Sequence, residues 1–106
     1  MAQYMKKEIF ILNQAEKEID TFPKHIRDRY WKLITEFETR GYLEYPDSKK
    51  LQGYDLFEIR ILGDGIYRFI YCDHKEHIII LSAFKKKTQK TPVREIEKAI
   101  KRKNNI

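Results

Sequence analysis

Residues 56–91 read LFEIRILGDGIYRFIYCDHKEHIIILSAFKKKTQKT, and the reading of this stretch decides the fold. Two β-hairpins are linked end to end and run straight into a basic patch. A three-residue loop at Gly63-Asp64-Gly65, a type I turn closing on Gly65 in the left-handed conformation, sets Phe57, Ile59 and Ile61 opposite Tyr71, Phe69 and Tyr67. One side of the ribbon is then wholly apolar, and the other places Arg60 across from Arg68. A two-residue Asp64-Gly65 turn would slip the pairing by one and mix the faces, so burial favours the first register. Residues 77–84 are apolar but for His77 and Ser82, as expected of a central strand covered on both faces.

Two arginines facing each other across a strand pair repel. Such a pair persists as solvated arginines neutralised by Glu58, or as a site for an anion. The Lys85-Lys86-Lys87 run, leaving the last strand of the same sheet, favours the anion, and phosphate is the obvious guest.

Composition sets the frame for that reading. A chain of 106 residues can build one core, so residues 1–106 are expected to form one domain. A hydrophobic content of 42% with 13% aromatic residues argues for a folded protein and against a disordered basic tail. From Phe84 onward nine basic residues face only Glu95 and Glu97, so this last stretch carries the whole of the net +6. That asymmetry favours a polyanionic partner. Cys72 is the only cysteine, which excludes an internal disulfide, and it reads as a small hydrophobe in a strand. Residues 1–7 lack an apolar run behind their charge, and no segment approaches a membrane span. The expectation is a cytoplasmic protein with no membrane association.

Upstream, residues 8–12 (EIFIL) form a short strand, buried or at an edge. Asn13 and Glu16 have the spacing of a capping box, opening a helix over residues 14–21 with Ala15, Ile19 and Phe22 on one side. Pro23 suits the first turn of a second helix that runs to about Arg40 and stops at Gly41. Its apolar residues Ile26, Tyr30, Leu33, Ile34 and Phe37 recur at helical spacing, so the two helices lid the apolar face of the sheet. Residues 41–53 read as a loop carrying Lys49 and Lys50. Thr91 and Pro92 supply an N-cap and a first-turn proline for a last helix with Val93, Ile96 and Ile100 as its apolar stripe. The fold class is α+β: a small antiparallel sheet, an N-terminal helical hairpin on one face, a basic concave groove on the other, and a C-terminal helix.

The residue inventory excludes much chemistry. The chain has no CxxC, no HExxH, no Gly-rich phosphate loop and no acidic triad. His25, His74 and His77 make no site by spacing, and the last two bracket the second hairpin's turn. No metal or cofactor is expected. Arg60, Arg68 and Lys85–Lys87 remain as a convergent cationic set. It fits attack of an RNA 2′-hydroxyl on its neighbouring phosphate, because the nucleophile belongs to the substrate. The protein need only hold the backbone in line and neutralise the phosphorane. Arginine suits this work, gripping two phosphate oxygens at once.

The run LFEIR…YRFIY…FKKKTQKTPVREIEKA resembles the RelE/HigB toxins of toxin–antitoxin modules, and is most similar to the HigB-type branch. That branch carries a Trp/Phe-Glu-Leu-Arg strand and a Phe-x-Lys-Lys-Thr-x-Lys-Thr-Pro tail. The resemblance implies a ribosome-dependent mRNA endonuclease silenced by a cognate antitoxin, expected to be a helix-turn-helix protein. It gives catalytic roles to Arg60, Arg68, Lys86 and Lys87. Lys49, Lys50, Lys85, Lys90 and Arg94 are expected to hold RNA by charge. Some RelE relatives place a lysine where Glu58 stands and a tyrosine near Pro92, and this chain has neither. Two rivals follow: a gyrase-inhibiting toxin of the same fold, and an RNA- or ribosome-binding regulator without catalysis.

Overall fold

The computed structural model describes residues 7–106, so the reading of residues 1–7 as lacking a leader falls almost wholly outside the described residues. In chain order the elements are β1 (Ile9–Ile11), α1 (Asn13–Asp20), α2 (Lys24–Arg40), β2 (Ser48–Lys50), β3 (Phe57–Leu62), β4 (Ile66–His74), β5 (His77–Lys86) and α3 (Val93–Lys103). The strands form one sheet in the order β1-β5-β4-β3-β2. The chain leaves β1 at one edge and re-enters the sheet at the other, so α1 and α2 must cross one whole face.

That face is the apolar side of the β3–β4 ribbon. Phe57, Ile59 and Ile61 pair with Tyr71, Phe69 and Tyr67, the register that alternation demands, and Arg60 pairs with Arg68. Ile26, Tyr30, Ile34 and Phe37 of α2 and Ala15 and Ile19 of α1 close over it. Tyr30 stacks on Phe69 with centroids 4.4 Å apart, and Phe22 meets Tyr67 edge-on at 4.9 Å. Such aromatic pairs add to plain area burial. Gly41 ends α2 at φ 84°, where a side chain would be strained.

The opposite face is not an open groove, as the sequence suggests, but carries a second core. Ile96 and Ala99 of α3 pack on Leu56, Ile70, Cys72, Ile79 and Leu81. A bulge between Ile70 and Tyr71 pairs them with Ser82 and Ile80, leaving Leu81 unpaired. Both faces of β5 are thus covered, as its apolar run Ile78-Ile79-Ile80-Leu81 requires.

Several local expectations are corrected. β1 pairs parallel with β5, so the sheet is mostly rather than wholly antiparallel. The segment read as a loop over residues 41–53 contains β2, held by pairing with β3. Leu12, Pro23 and Pro92 are the N-caps, without side-chain capping bonds, so neither the Asn13 capping box nor the Thr91 cap forms. Val93 is half exposed and lies off the apolar stripe of α3. Gly65 does not adopt the left-handed conformation. A β-carbon there would meet Lys85 Cε at 2.8 Å and would require that side chain to shift. Among the described residues no helix is long and apolar enough to cross a membrane, and no group of His, Cys, Asp and Glu could hold a metal ion.

One carboxylate ties the two faces together beyond the end of β1. Glu18 of α1 accepts the Ala83 amide proton at 3.0 Å, Arg102 Nη1 at 2.8 Å and Lys98 Nζ at 3.1 Å. Burial alone would raise its pKa, but Arg102, Ala83 and Lys98 outweigh burial and hold it below 4.5. The stabilisation is therefore present above the unfolded pKa and lost as pH falls through the folded one. Glu18→Gln is expected to lose about 1–3 kcal/mol of stability at pH 7. Urea unfolding should show that deficit shrinking as pH drops below 4.5, and an equal deficit at pH 7 and in acid would refute the assignment.

Candidate functional site

Arg60 and Arg68 share the side of the sheet that α3 occupies, but their surroundings differ. Arg68 is wholly buried. Its Nη2 donates to the carbonyl oxygens of Thr88, at 2.6 Å, and Gln89, and its Nη1 donates to Thr91 Oγ1 at 3.3 Å. Glu58, also wholly buried, accepts the Thr91 hydroxyl proton on Oε2 at 2.7 Å. Thr91 therefore uses both capacities of a hydroxyl, accepting from the arginine and donating to the carboxylate. Burial pulls the Arg68 pKa down and Glu58 opposes that pull. Arg68 was expected to face a phosphate together with Arg60. In the structure its donors are turned inward, onto the backbone that follows β5.

Arg60 is the outward member of the pair, its side chain 17% exposed. Its Nη2 donates to Gln89 Oε1 at 3.1 Å, and its Nε stands 3.8 Å from Glu58 Oε1. Among the described residues no acceptor takes Nη1. Glu58 lies behind Arg60 and fixes its charge at the surface without a direct hydrogen bond.

Strand alternation distributes the lysines. Lys85 pairs with Tyr67 and so projects on the helical side, away from the arginines. Its Nζ lies 2.8 Å from Asp64 Oδ2 and 5.5 Å from the Tyr67 ring centroid. Hydrogen bonds from Lys85 and Tyr67 hold the Asp64 carboxyl down at about 2. Lys85 thus staples the hairpin tip and leaves the expected cationic set. Lys86, across from Ile66, returns to the arginine side, and Lys87 follows it, exposed. Lys49 pairs with Glu58 on the arginine side, whereas Lys50 pairs with Phe57 on the helical side. Both stand on an edge strand, not on a flexible loop. Among the described residues Lys49, Lys50, Lys86, Lys87, Lys90 and Arg94 have no carboxylate within 4.0 Å.

A cleft of about 390 Å³ opens between β2 and the loop after β5, lined by Lys49, Lys50, Tyr54, Gln89, Lys90 and Thr91 among others. Thr91, read from sequence as a helix cap, and Gln89, given no role there, are the residues that sequence reasoning missed. The only signal was their place in the Thr-x-Lys-Thr-Pro tail. His25 is exposed on α2, and His74 and His77 pair at the β4–β5 turn.

Residues 17–104 match the model of the family described as Phage derived protein Gp49-like (DUF891). Three solved structures are similar. A mutant of the E. coli toxin RelE in the free state is 21% identical over 92% of this chain and 98% of its own, with a TM-score of 0.70. The archaeal RelE–RelB complex from Pyrococcus horikoshii OT3 gives 28%, 81%, 100% and 0.61 in the same terms. The RelB–RelE antitoxin–toxin complex from Methanococcus jannaschii gives 24%, 72%, 88% and 0.62. The fold is the RelE fold. No curated protein matches the chain.

Removing Arg68 would leave the Thr88 and Gln89 carbonyls without their donor and take from Glu58 one of the two cations beside it. Arg68→Ala is expected to cost about 3–5 kcal/mol of stability, and the paired replacement Glu58→Leu/Arg68→Met much less. Arg60→Ala, which removes one hydrogen bond to Gln89 and a partly exposed charge beside Glu58, should cost less than Arg68→Ala. Urea denaturation of the three variants checks this, and equal losses for the two single alanine variants would contradict it.

Proposed function

The chain belongs to the phage-derived Gp49-like family and carries the RelE fold, and from that premise we propose that it is the toxin of a toxin–antitoxin module, a ribosome-dependent mRNA endonuclease. The observation that carries the nuclease reading is Arg60, presented at the surface with Glu58 behind it and unpaired lysines around it. Two of the similar structures are complexes with RelB antitoxins, which supports an antitoxin as partner. A cationic face also suits an acidic segment of such a partner. The HigB-type assignment rests on the FEIR strand and, chiefly, on the tail FKKKTQKTP.

In the proposed reaction the RNA 2′-oxygen attacks the adjacent phosphorus and loses its proton. The bond from phosphorus to the 5′-oxygen breaks, and that oxygen takes up a proton. The products are a 2′,3′-cyclic phosphate and a 5′-hydroxyl, and no metal-activated water is needed. Arg60, Lys86 and Lys87 meet the charge that builds on the phosphorane. Arg68 is a positioning residue here: it holds the backbone of Thr88 and Gln89, and Gln89 in turn holds Arg60. Lys49, Lys50, Lys90 and Arg94 draw the RNA backbone into the cleft by charge. Lys85, committed to Asp64, takes no part in this reading.

Glu58 is wholly buried, and the tail offers no tyrosine for proton transfer. Those two facts favour, as the second reading, a ribosome-binding regulator that does not cut. Primer extension on a translated mRNA separates the two, giving discrete cuts for the nuclease and stalling without cuts for the regulator. At saturating ribosomes Arg60→Ala should lower single-turnover cleavage by roughly 10²–10³-fold. Lys49→Ala/Lys50→Ala should weaken binding in a salt-dependent way yet cleave normally once saturated. Wild-type cleavage by saturated Arg60→Ala would overturn the site.

A further inference from the structure

β2 is an edge strand, and both of its lysines line the cleft described above. On the helical side lies a second cleft of about 290 Å³, lined by Phe37, Tyr42, Ser48, Lys50, Phe57 and Tyr71 among others. Its volume lies just under the range for small-molecule sites, roughly 300–1,000 Å³, enough for one flat ring system. Its walls are aromatic. Phe57 stacks on Tyr71 with centroids 5.4 Å apart, and Phe37 meets Tyr71 edge-on at 5.3 Å. Tyr42 is 49% exposed, with the Arg40 guanidinium 4.6 Å from its ring centroid.

The lining also holds the Lys7–Asp73 ion pair, 3.7 Å apart, and between the aromatic walls lies one hydroxyl pair. Ser48 Oγ and Tyr71 Oη share a single hydrogen bond, and either can be its donor. Two hydroxyls carry two protons, so one proton stays uncommitted, and among the described residues no other acceptor takes it. An aliphatic guest would leave that donor unpaired at a cost, whereas a heteroaromatic ring brings acceptor nitrogens or carbonyls. At the mouth stands Lys50, which has no carboxylate partner among the described residues. Aromatic walls, one donor and a cation at the rim suit a base carried on a phosphate.

Placement strengthens the case. By register Lys49 stands on the side of Glu58 and Lys50 on the side of Phe57, and both line this cleft. We propose that the cleft is a nucleobase subsite, which takes one unstacked base of a single-stranded RNA whose backbone crosses β2 between Lys50 and Arg60. This rests on the reading of RNA as the substrate, and it adds how the strand is held.

The test uses a five-nucleotide 2′-O-methyl RNA, which the proposed reaction cannot cleave, and an abasic backbone of the same length and charge. Fluorescence anisotropy with the purified protein is expected to show at least about fivefold tighter binding of the base-bearing strand. Tyr42→Ala should bring that ratio close to one without changing affinity for the abasic strand, and Tyr42→Phe should restore it. Tyr42 is half exposed, so its loss leaves both cores intact. The subsite is overturned if the wild type binds both strands alike, binds neither, or keeps its preference in Tyr42→Ala. Cuts in translated mRNA without a base preference would remove the subsite and spare the nuclease. A base preference without cuts would do the reverse.

Discussion

Glu58 and Arg68 place two full charges inside the protein, and the segment after β5, together with Arg60 beside Glu58, makes this tolerable. Effective desolvation of such ions costs several kcal/mol each, and their attraction offsets this only when the remaining donors and acceptors are satisfied. The Thr91 hydroxyl and the carbonyls of Thr88 and Gln89 supply most of what the pair lacks. Glu58 Oε1 has only the charge of Arg60 Nε at 3.8 Å, and Arg68 Nε has no hydrogen-bond partner among the described residues. Thr88, Gln89 and Thr91 lie twenty or more residues beyond Arg68, so satisfying the pair bends the tail back over β4. α3 starts just beyond, at Val93, and its approach to the sheet is set by the same bend. The surface around Arg60 is then a consequence of the interior: Gln89 arrives with the tail and holds the guanidinium, while Glu58 holds its charge from beneath.

Sheet geometry does the rest of the positioning. Alternation in β5 sends Lys85 to the helical side and returns Lys86 to the arginine side, so a run of three like residues splits between two environments. Alternation in β2 divides Lys49 from Lys50 in the same way. Because β2 is an edge, both lysines border clefts, and the two clefts flank a single strand. Charge clustering in the sequence therefore overstates clustering in space, while the edge position gives β2 access to both faces of the sheet.

The β3–β4 register and the helical lid were legible because burial enforces them. A one-residue slip would expose Phe57, Ile59, Ile61 and their aromatic partners, and no rival pairing buries them. β2 was not legible, since Ser48-Lys49-Lys50 has no apolar pattern and exists only through pairing with Phe57 and Ile59. The inward turn of Arg68 was equally hidden. An arginine opposite an arginine reads as a surface feature until the carbonyls that receive it are located, and those depend on tertiary folding of the tail. Thr91 misled for a related reason. Its hydroxyl can cap a helix locally, but the buried charges compete for it more strongly.

The central claim is a division of labour in which Arg68 braces the interior and Arg60 meets the RNA. Guanidinium resonances in nitrogen-15 NMR test it directly. Arg68 should give separate, slowly exchanging Nη protons that do not move when a non-cleavable RNA is added, whereas the Arg60 resonances should shift with RNA. Fast exchange at Arg68 with RNA-induced shifts as large as those of Arg60 would contradict the account.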